Sequence, residues 1–147
     1  MDQITYEPIG VVESPFETPE AVPRPGAERV TASGTLVLEE EFEPGLEGLD
    51  GFSHLIVLSH LHEVSGVRLQ VNPMGGKSVG IFATSGPPRP NPIGHSVLTL
   101  DDVSGTRLAV SHLDLIDGTP ILDIKPYAPK VPAVEAVETG WMGDLAD

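Results

Sequence analysis

Four groups of residues have types and spacings that could do chemistry. His60 and His62 are two apart. On a strand both rings would face one side, as two ligands of a metal site do. Two barrel histidines bonded to backbone or carboxylate are the plainer reading of the pair. The stretch Asp114-Leu115-Ile116-Asp117-Gly118-Thr119-Pro120 offers two carboxylates. They could accept hydrogen bonds from ribose hydroxyls or an amine, or balance a cationic ligand. Asp117-Gly118 between apolar runs is also a strong hairpin signal. In Phe82 to Gly94, Pro87, Pro88, Pro90 and Pro92 stiffen an arch that presents Arg89 and Asn91. A planar five-donor fork on a pre-ordered loop suits an anionic or planar ligand. A stiff corner with Arg89 paired to a surface acid explains the segment equally. Gly75-Gly76-Lys77-Ser78 suggests a phosphate loop, but that pattern needs a glycine where Val71 stands. No G-x-G-x-x-G occurs, so a Rossmann nucleotide site is unsupported.

The elements that must position these residues read as strands. Ile4 to Ser14 is an extended opening, and Pro19, Pro23 and Pro25 make Phe16 to Arg29 a long loop. Strands are expected at Gly34–Glu40, Val67–Val71, Lys77–Thr84, His95–Leu100, Arg107–Ile116 and Pro120–Lys125. His54–His62 is the strongest apolar run and is expected to be buried on both faces. Leu46–Gly51 could form one helical turn, and Glu39–Glu43 reads as a solvated edge. Seven or eight short strands separated by turns indicate an all-β barrel or sandwich. The tail from 128 to 147 has one large anchor, Trp141, expected to dock on the barrel or on a partner subunit.

At 147 residues the chain is expected to be a single domain, with its core in residues 4–127. The absence of cysteine excludes disulfides, thiolate zinc sites and cysteine nucleophiles. Asp and Glu number 22 against 8 Lys and Arg, a net charge of −14. Such a charge repels polyanions and strains the compact state unless salt screens it. With only Lys77, Lys125 and Lys130 as lysines, a halophilic cytosol is the expected setting. No signal peptide or membrane-length apolar run is present, so a cytoplasmic location is expected.

Blocks in fixed order carry a family likeness. They are Ile9 to Phe16, Val22 to Gly26, Gly48 to Leu55, Val79 to Thr84, Arg89 to Gly94 and Asp117 to Tyr127. With these, the chain resembles the TsaA-like (TrmO) family over residues 9 to 127. The resemblance implies a small closed antiparallel β-barrel of about seven strands, with long loops and little helix. It further implies a homodimer that binds S-adenosyl-L-methionine, needs no metal and methylates N6 of the threonylcarbamoyl-adenosine beside a tRNA anticodon. The same barrel acting on another substrate, or binding the cofactor without catalysis, is the alternative.

Carried over by motif, the cofactor would touch Arg24, Pro25, Gly26, Leu61, His62, Asp114, Leu115, Ile116 and Asp117. Ser85 and His95 would complete the wall. Arg89, Asn91, Thr119, Lys125 and Tyr127 would face the tRNA, with Arg24, Arg29 and Arg68 adding to a basic patch. The acceptor nitrogen bears a carbonyl substituent and is a poor nucleophile, so a base is expected. Asp117 and His62 are the candidates, since an imidazole serves near neutrality and a carboxylate can orient the N–H. One departure stands out. Family members commonly read Phe-Ala-Thr-Arg-Ser where this chain has Phe82-Ala83-Thr84-Ser85-Gly86. The missing donor is worth about 1.5–3 kcal/mol if it bonds a charged group. Either Arg24 or Arg89 compensates, or affinity is weaker, or the substrate differs. Without the C-terminal extension of bacterial members, the chain reads as the minimal barrel.

Overall fold

The computed structural model describes residues 1–22, 31–129 and 134–145. Eight strands form in chain order: β1 (Gly10–Glu13), β2 (Ser33–Leu38), β3 (His54–His60), β4 (Gln70–Val71), β5 (Val79–Gly80), β6 (Ile93–Ser104), β7 (Arg107–Ser111) and β8 (Pro120–Pro126). Six close into an antiparallel barrel in the order β1-β2-β7-β6-β3-β8, while β4 and β5 pair with each other outside it. The all-β closed barrel is as expected; eight strands form, and six of them close it where the resemblance implies about seven.

Alternation explains closure. Val12, Leu36, Leu55, Val57, Leu98, Leu108, Val110 and Ile121 point inward, each 1% exposed or less. Burying each such side chain contributes about 1.5–3 kcal/mol. In β3 only Leu55, Val57 and Ser59 are buried, and the residues between them are half-exposed or exposed. The run expected to be buried on both faces is therefore one-sided, as an antiparallel barrel strand should be. β6 and β7 join through Gly105 and Thr106, with Gly105 at φ +59° making the tight turn.

The segment after β7 is the main departure from expectation. Arg107–Ile116 is not one strand, and Asp117-Gly118 does not close a hairpin. β7 and β8 stand opposite each other in the barrel, so residues 112–119 must cross its mouth. Leu113, Leu115 and Ile116 turn down and plug it. Their apolar pattern serves a lid rather than a strand. The crossing starts at His112, whose φ of +62° lies in the left-handed region. His112 Nδ1 is 2.7 Å from the Thr99 hydroxyl. Backbone bonds then stitch the crossing down, from Leu113 N–H to Ala32 O at 3.0 Å and from Gly118 N–H to Val12 O at 2.8 Å.

Residues 61–92, between β3 and β6, form a lobe beside this mouth. The expected strand Lys77–Thr84 shortens to β5 and a 3-10 turn, Ile81–Ala83. Ile81 N–H donates to Leu69 O and Arg68 N–H to Pro88 O, both at 2.9 Å. Trp141 docks here, its indole N–H donating to Ala83 O at 2.7 Å. At the opposite end, 3-10 turns at Glu40–Leu46 and Leu49–Gly51 close the barrel with Leu46. A shallow groove there carries Glu41, Glu47 and Asp123. No helix among the described residues is long and apolar enough to cross a membrane.

Candidate functional site

The plugged mouth is where the chemically equipped residues meet. Register forces this. Ser59 near the end of β3 pairs with Gly94 on one side and Ile121 on the other, and Val11 pairs with Pro120. The residues just past these strand ends, Leu61, His62, Ser14 and Asp117, therefore share one rim.

Asp117 is held from both of its polar ends. Its N–H donates to Phe16 O at 2.6 Å, and its Oδ1 accepts from Ser14 N–H at 3.0 Å. The carboxylate is solvent-facing, and Oδ2 takes no bond from the described residues. Gly118 follows at φ +81°, and a Cβ built there would lie 3.9 Å from His62 Nε2. The imidazole thus lies against the Asp117–Gly118 turn, with 28% of its side chain exposed. Its Nε2 is also 3.8 Å from Glu63 Oε1. Leu61 packs against the core below and bonds the foot of the lobe, N–H to Pro92 O at 2.8 Å.

Asp114, three residues earlier, accepts at Oδ1 from the Ser96 hydroxyl at 2.8 Å. Ser96 is 4% exposed and faces inward from β6. Sequence reasoning missed it, although a serine at core parity between Gly94 and Leu98 was a readable signal. Ser59 is a second inward serine. It is fully buried, and its hydroxyl has no partner among the described residues. Gly94 makes room for it, since a Cβ there would come within 2.5 Å of Ser59 Oγ and 2.9 Å of Leu61 Cδ2.

Family membership can now be set beside this geometry. Residues 11–133 match the tRNA-methyltransferase O N-terminal domain. The chain belongs to the tRNA-methyltransferase O N-terminal domain family. It is 42% identical over 140 residues to a probable S-adenosyl-L-methionine-binding protein of Pyrococcus abyssi, covering 95% of this chain and 76% of that one. It is 40% identical over 140 residues to the tRNA (adenine(37)-N6)-methyltransferase of Escherichia coli, covering 88% of this chain and 60% of that enzyme. The crystal structure of TrmO from Pseudomonas aeruginosa superposes with a TM-score of 0.79 at 38% identity, covering 95% of this chain and 62% of that one. The chain thus spans about three-fifths of the length of these two bacterial proteins.

The rim of this family member assembles some of the expected residues and not others. Leu61, His62, Asp114 and Asp117 come together, and exposed Asn91 lies just beyond, at the foot of the lobe. Leu115 and Ile116 have their side chains in the core, so only backbone is left for a ligand. The Ile116 carbonyl is already taken, accepting from Thr119 Oγ1 at 2.6 Å and Thr119 N–H at 3.3 Å. Thr119 itself is 1% exposed, and its hydroxyl is occupied by this structural bond. Arg89 turns inward. Its Nη1 donates to the carbonyls of Thr84 at 2.8 Å, Gly86 at 3.1 Å and Ile81 at 3.3 Å. It buttresses its own arch, and no surface acid pairs with it among the described residues.

Lys125 and Tyr127 lie apart from this rim. Along β8 they lie five and seven residues from Pro120, about 16 and 23 Å at the rise of a strand. They stand toward the far end, where Lys125 pairs with Asp123 at 2.9 Å and Tyr127 packs edge-on to His54. His95 faces outward from the barrel wall opposite Leu58. Ser85 is exposed on the lobe. Arg24, Pro25, Gly26 and Arg29 lie outside the described residues. His60 ends β3, so strand alternation does not carry through to His62. Among the described residues no three His, Asp or Glu side chains are grouped to hold a metal ion.

The donor set suits a cationic nucleoside. Two fixed carboxylates each keep one oxygen free of the described residues, Leu61 supplies an apolar wall, and an orphaned buried hydroxyl lies beneath. No lysine or arginine among the described residues competes for either carboxylate.

Proposed function

We propose that the chain is an S-adenosyl-L-methionine-dependent tRNA methyltransferase acting on N6 of the threonylcarbamoyl-adenosine at position 37. The observation that carries this reading is the contact of His62 with the Asp117–Gly118 turn on an acid-bearing barrel mouth, in a chain of this family. When bound, the cofactor supplies a methyl group on a positively charged sulfonium. Asp114 would hold its hydroxyls or amine, and the negative charge of Asp114 and Asp117 favours a cationic ligand. Leu61 and the crossing segment keep water from one side of the pocket. Asp117 Oδ2 would take the proton from the acceptor nitrogen, with His62 Nε2 as the other candidate base. General-base assistance of this kind contributes about 10²–10⁴ in rate.

The decisive experiment compares tRNA from a strain lacking the protein with tRNA from its parent by nucleoside mass spectrometry. Loss of the methyl from the threonylcarbamoyl-adenosine supports the reading; its retention ends it. A second reading, cofactor binding with a different substrate or with no catalysis, is favoured by Ser85 and by the name of the Pyrococcus relative, which claims binding alone. Calorimetric binding with no change in the tRNA nucleosides would select it.

The proposal includes a cytoplasmic homodimer in a halophilic setting. Ile93 and Val97, half-exposed on the outer face of β6, support a second copy there, and sedimentation tests it. The net charge of −14 supports the setting.

A further inference from the structure

Charge is divided unevenly along this chain. From Val64 to Leu100 there is no Asp or Glu at all, although the chain holds 22. The same stretch carries Arg68, Lys77 and Arg89, three of its eight Lys and Arg. Elsewhere among the described residues the cations are neutralised. Arg107 pairs with Glu13 at 2.6 Å and Lys125 with Asp123 at 2.9 Å. Arg68 and Lys77 are exposed and form no ion pair with the described residues. Arg89 bonds only neutral carbonyls, so its charge is undiminished.

The lobe also exposes apolar surface. Phe82 is 76% exposed, while Phe42 and Phe52 are half that. Leu69 and Met74 are similarly open. A flat ring presented to solvent among cations is the arrangement on which an unpaired base stacks. The lobe is rooted at the rim, through Leu61 N–H to Pro92 O, so whatever lies on it leads into the mouth at His62 and Asp117.

We propose that the acid-free part of the lobe, residues 64–92, is the surface on which the RNA lies, with Arg68 and Lys77 on its phosphates and Phe82 stacked on a base. This rests on the tRNA reading above. It also eases the difficulty of a −14 protein with a polyanionic partner, because this stretch carries none of the acids, although Glu63 adjoins it and the acidic tail docks Trp141 on Ala83. A second copy is the competing occupant. A symmetric pairing of two lobes would set Arg68 and Lys77 against their own copies, a like-charge contact that disfavours it.

The test uses the full chain and fluorescently labelled unfractionated tRNA, with anisotropy followed across a salt series. Phe82→Ala should bind about tenfold more weakly, within the range for one base stacked on an aromatic. Arg68→Gln with Lys77→Gln should flatten the slope of log K against log salt by about 1.4, two single-strand phosphate contacts. Both variants should bind S-adenosyl-L-methionine in calorimetry as the parent does. Unchanged RNA affinity and slope in both, with the parent binding tRNA, would overturn the lobe and leave the tRNA reading standing. Variants that turn a dimeric parent monomeric in sedimentation, and lose RNA only with that change, would assign the lobe to a second copy and overturn it too. A parent that binds the cofactor but no tRNA would remove the reading beneath it.

Discussion

Replacing Asp117 by asparagine separates its two duties. The side chain anchors the turn by accepting Ser14 N–H at Oδ1, 3.0 Å away. An asparagine Oδ1 can accept the same bond, so the turn should survive. The bond loses only its charge assistance at an exposed site, so stability should fall by no more than about 1 kcal/mol. For a domain of this size that is roughly a 3 °C fall in Tm. Oδ2 becomes an amide that cannot take a proton. If Asp117 is the base, single-turnover methyl transfer should drop about 10²–10⁴-fold. Cofactor affinity should change far less, because Asp114 is untouched. The assay is rapid-quench transfer to tRNA alongside calorimetry and thermal unfolding on one preparation. Transfer within about threefold of the parent, with Tm unchanged, refutes Asp117 as the base and leaves His62. Equal losses in transfer and cofactor affinity would assign Asp117 to binding instead.

Other consequences are sharper on stability. Gly94→Ala drives a Cβ to within 2.5 Å of Ser59 Oγ, so it should destabilise by about 1–3 kcal/mol in urea unfolding. Adding Ser59→Ala should recover part of that loss, and strict additivity of the two changes would mean the clash is not the cause. Ser96→Ala frees Asp114 from its 2.8 Å bond and should weaken cofactor binding by about three- to tenfold, the worth of one such bond, with the rate of bound complex little changed. The urea midpoint of the parent should rise between 0.1 M and 2 M KCl, because screening relieves the repulsion of a −14 chain; a flat or falling midpoint would argue against a halophilic design.

Local pattern revealed strands and hid connections, for a physical reason. In β2, β6 and β7, alternation records which face meets the core, and that can be read within five or six residues. The crossing at 112–119 also alternates, with Leu113 and Leu115 buried about an exposed Asp114. What makes it a lid is that β7 pairs with β2 and β6 and never with β8, a fact set by a strand up to 78 residues away, Ser33 against Ser111. Side-chain environments were hidden on the same ground. Thr119 looks available for a ligand until its hydroxyl is seen bonded to the carbonyl three residues back. Arg89 looks like a ligand fork until its arch is seen to fold around it. His62 and Asp117 are 55 positions apart in sequence, and no spacing rule joins them; the family likeness suggested the pair, and strand register explains how one rim carries both. The acid-free stretch is the reverse case. It was readable from composition alone, and it acquires meaning only when Arg68, Lys77 and Phe82 are found exposed on a lobe rooted at that rim, where an otherwise acidic molecule has kept one approach open to a polyanion.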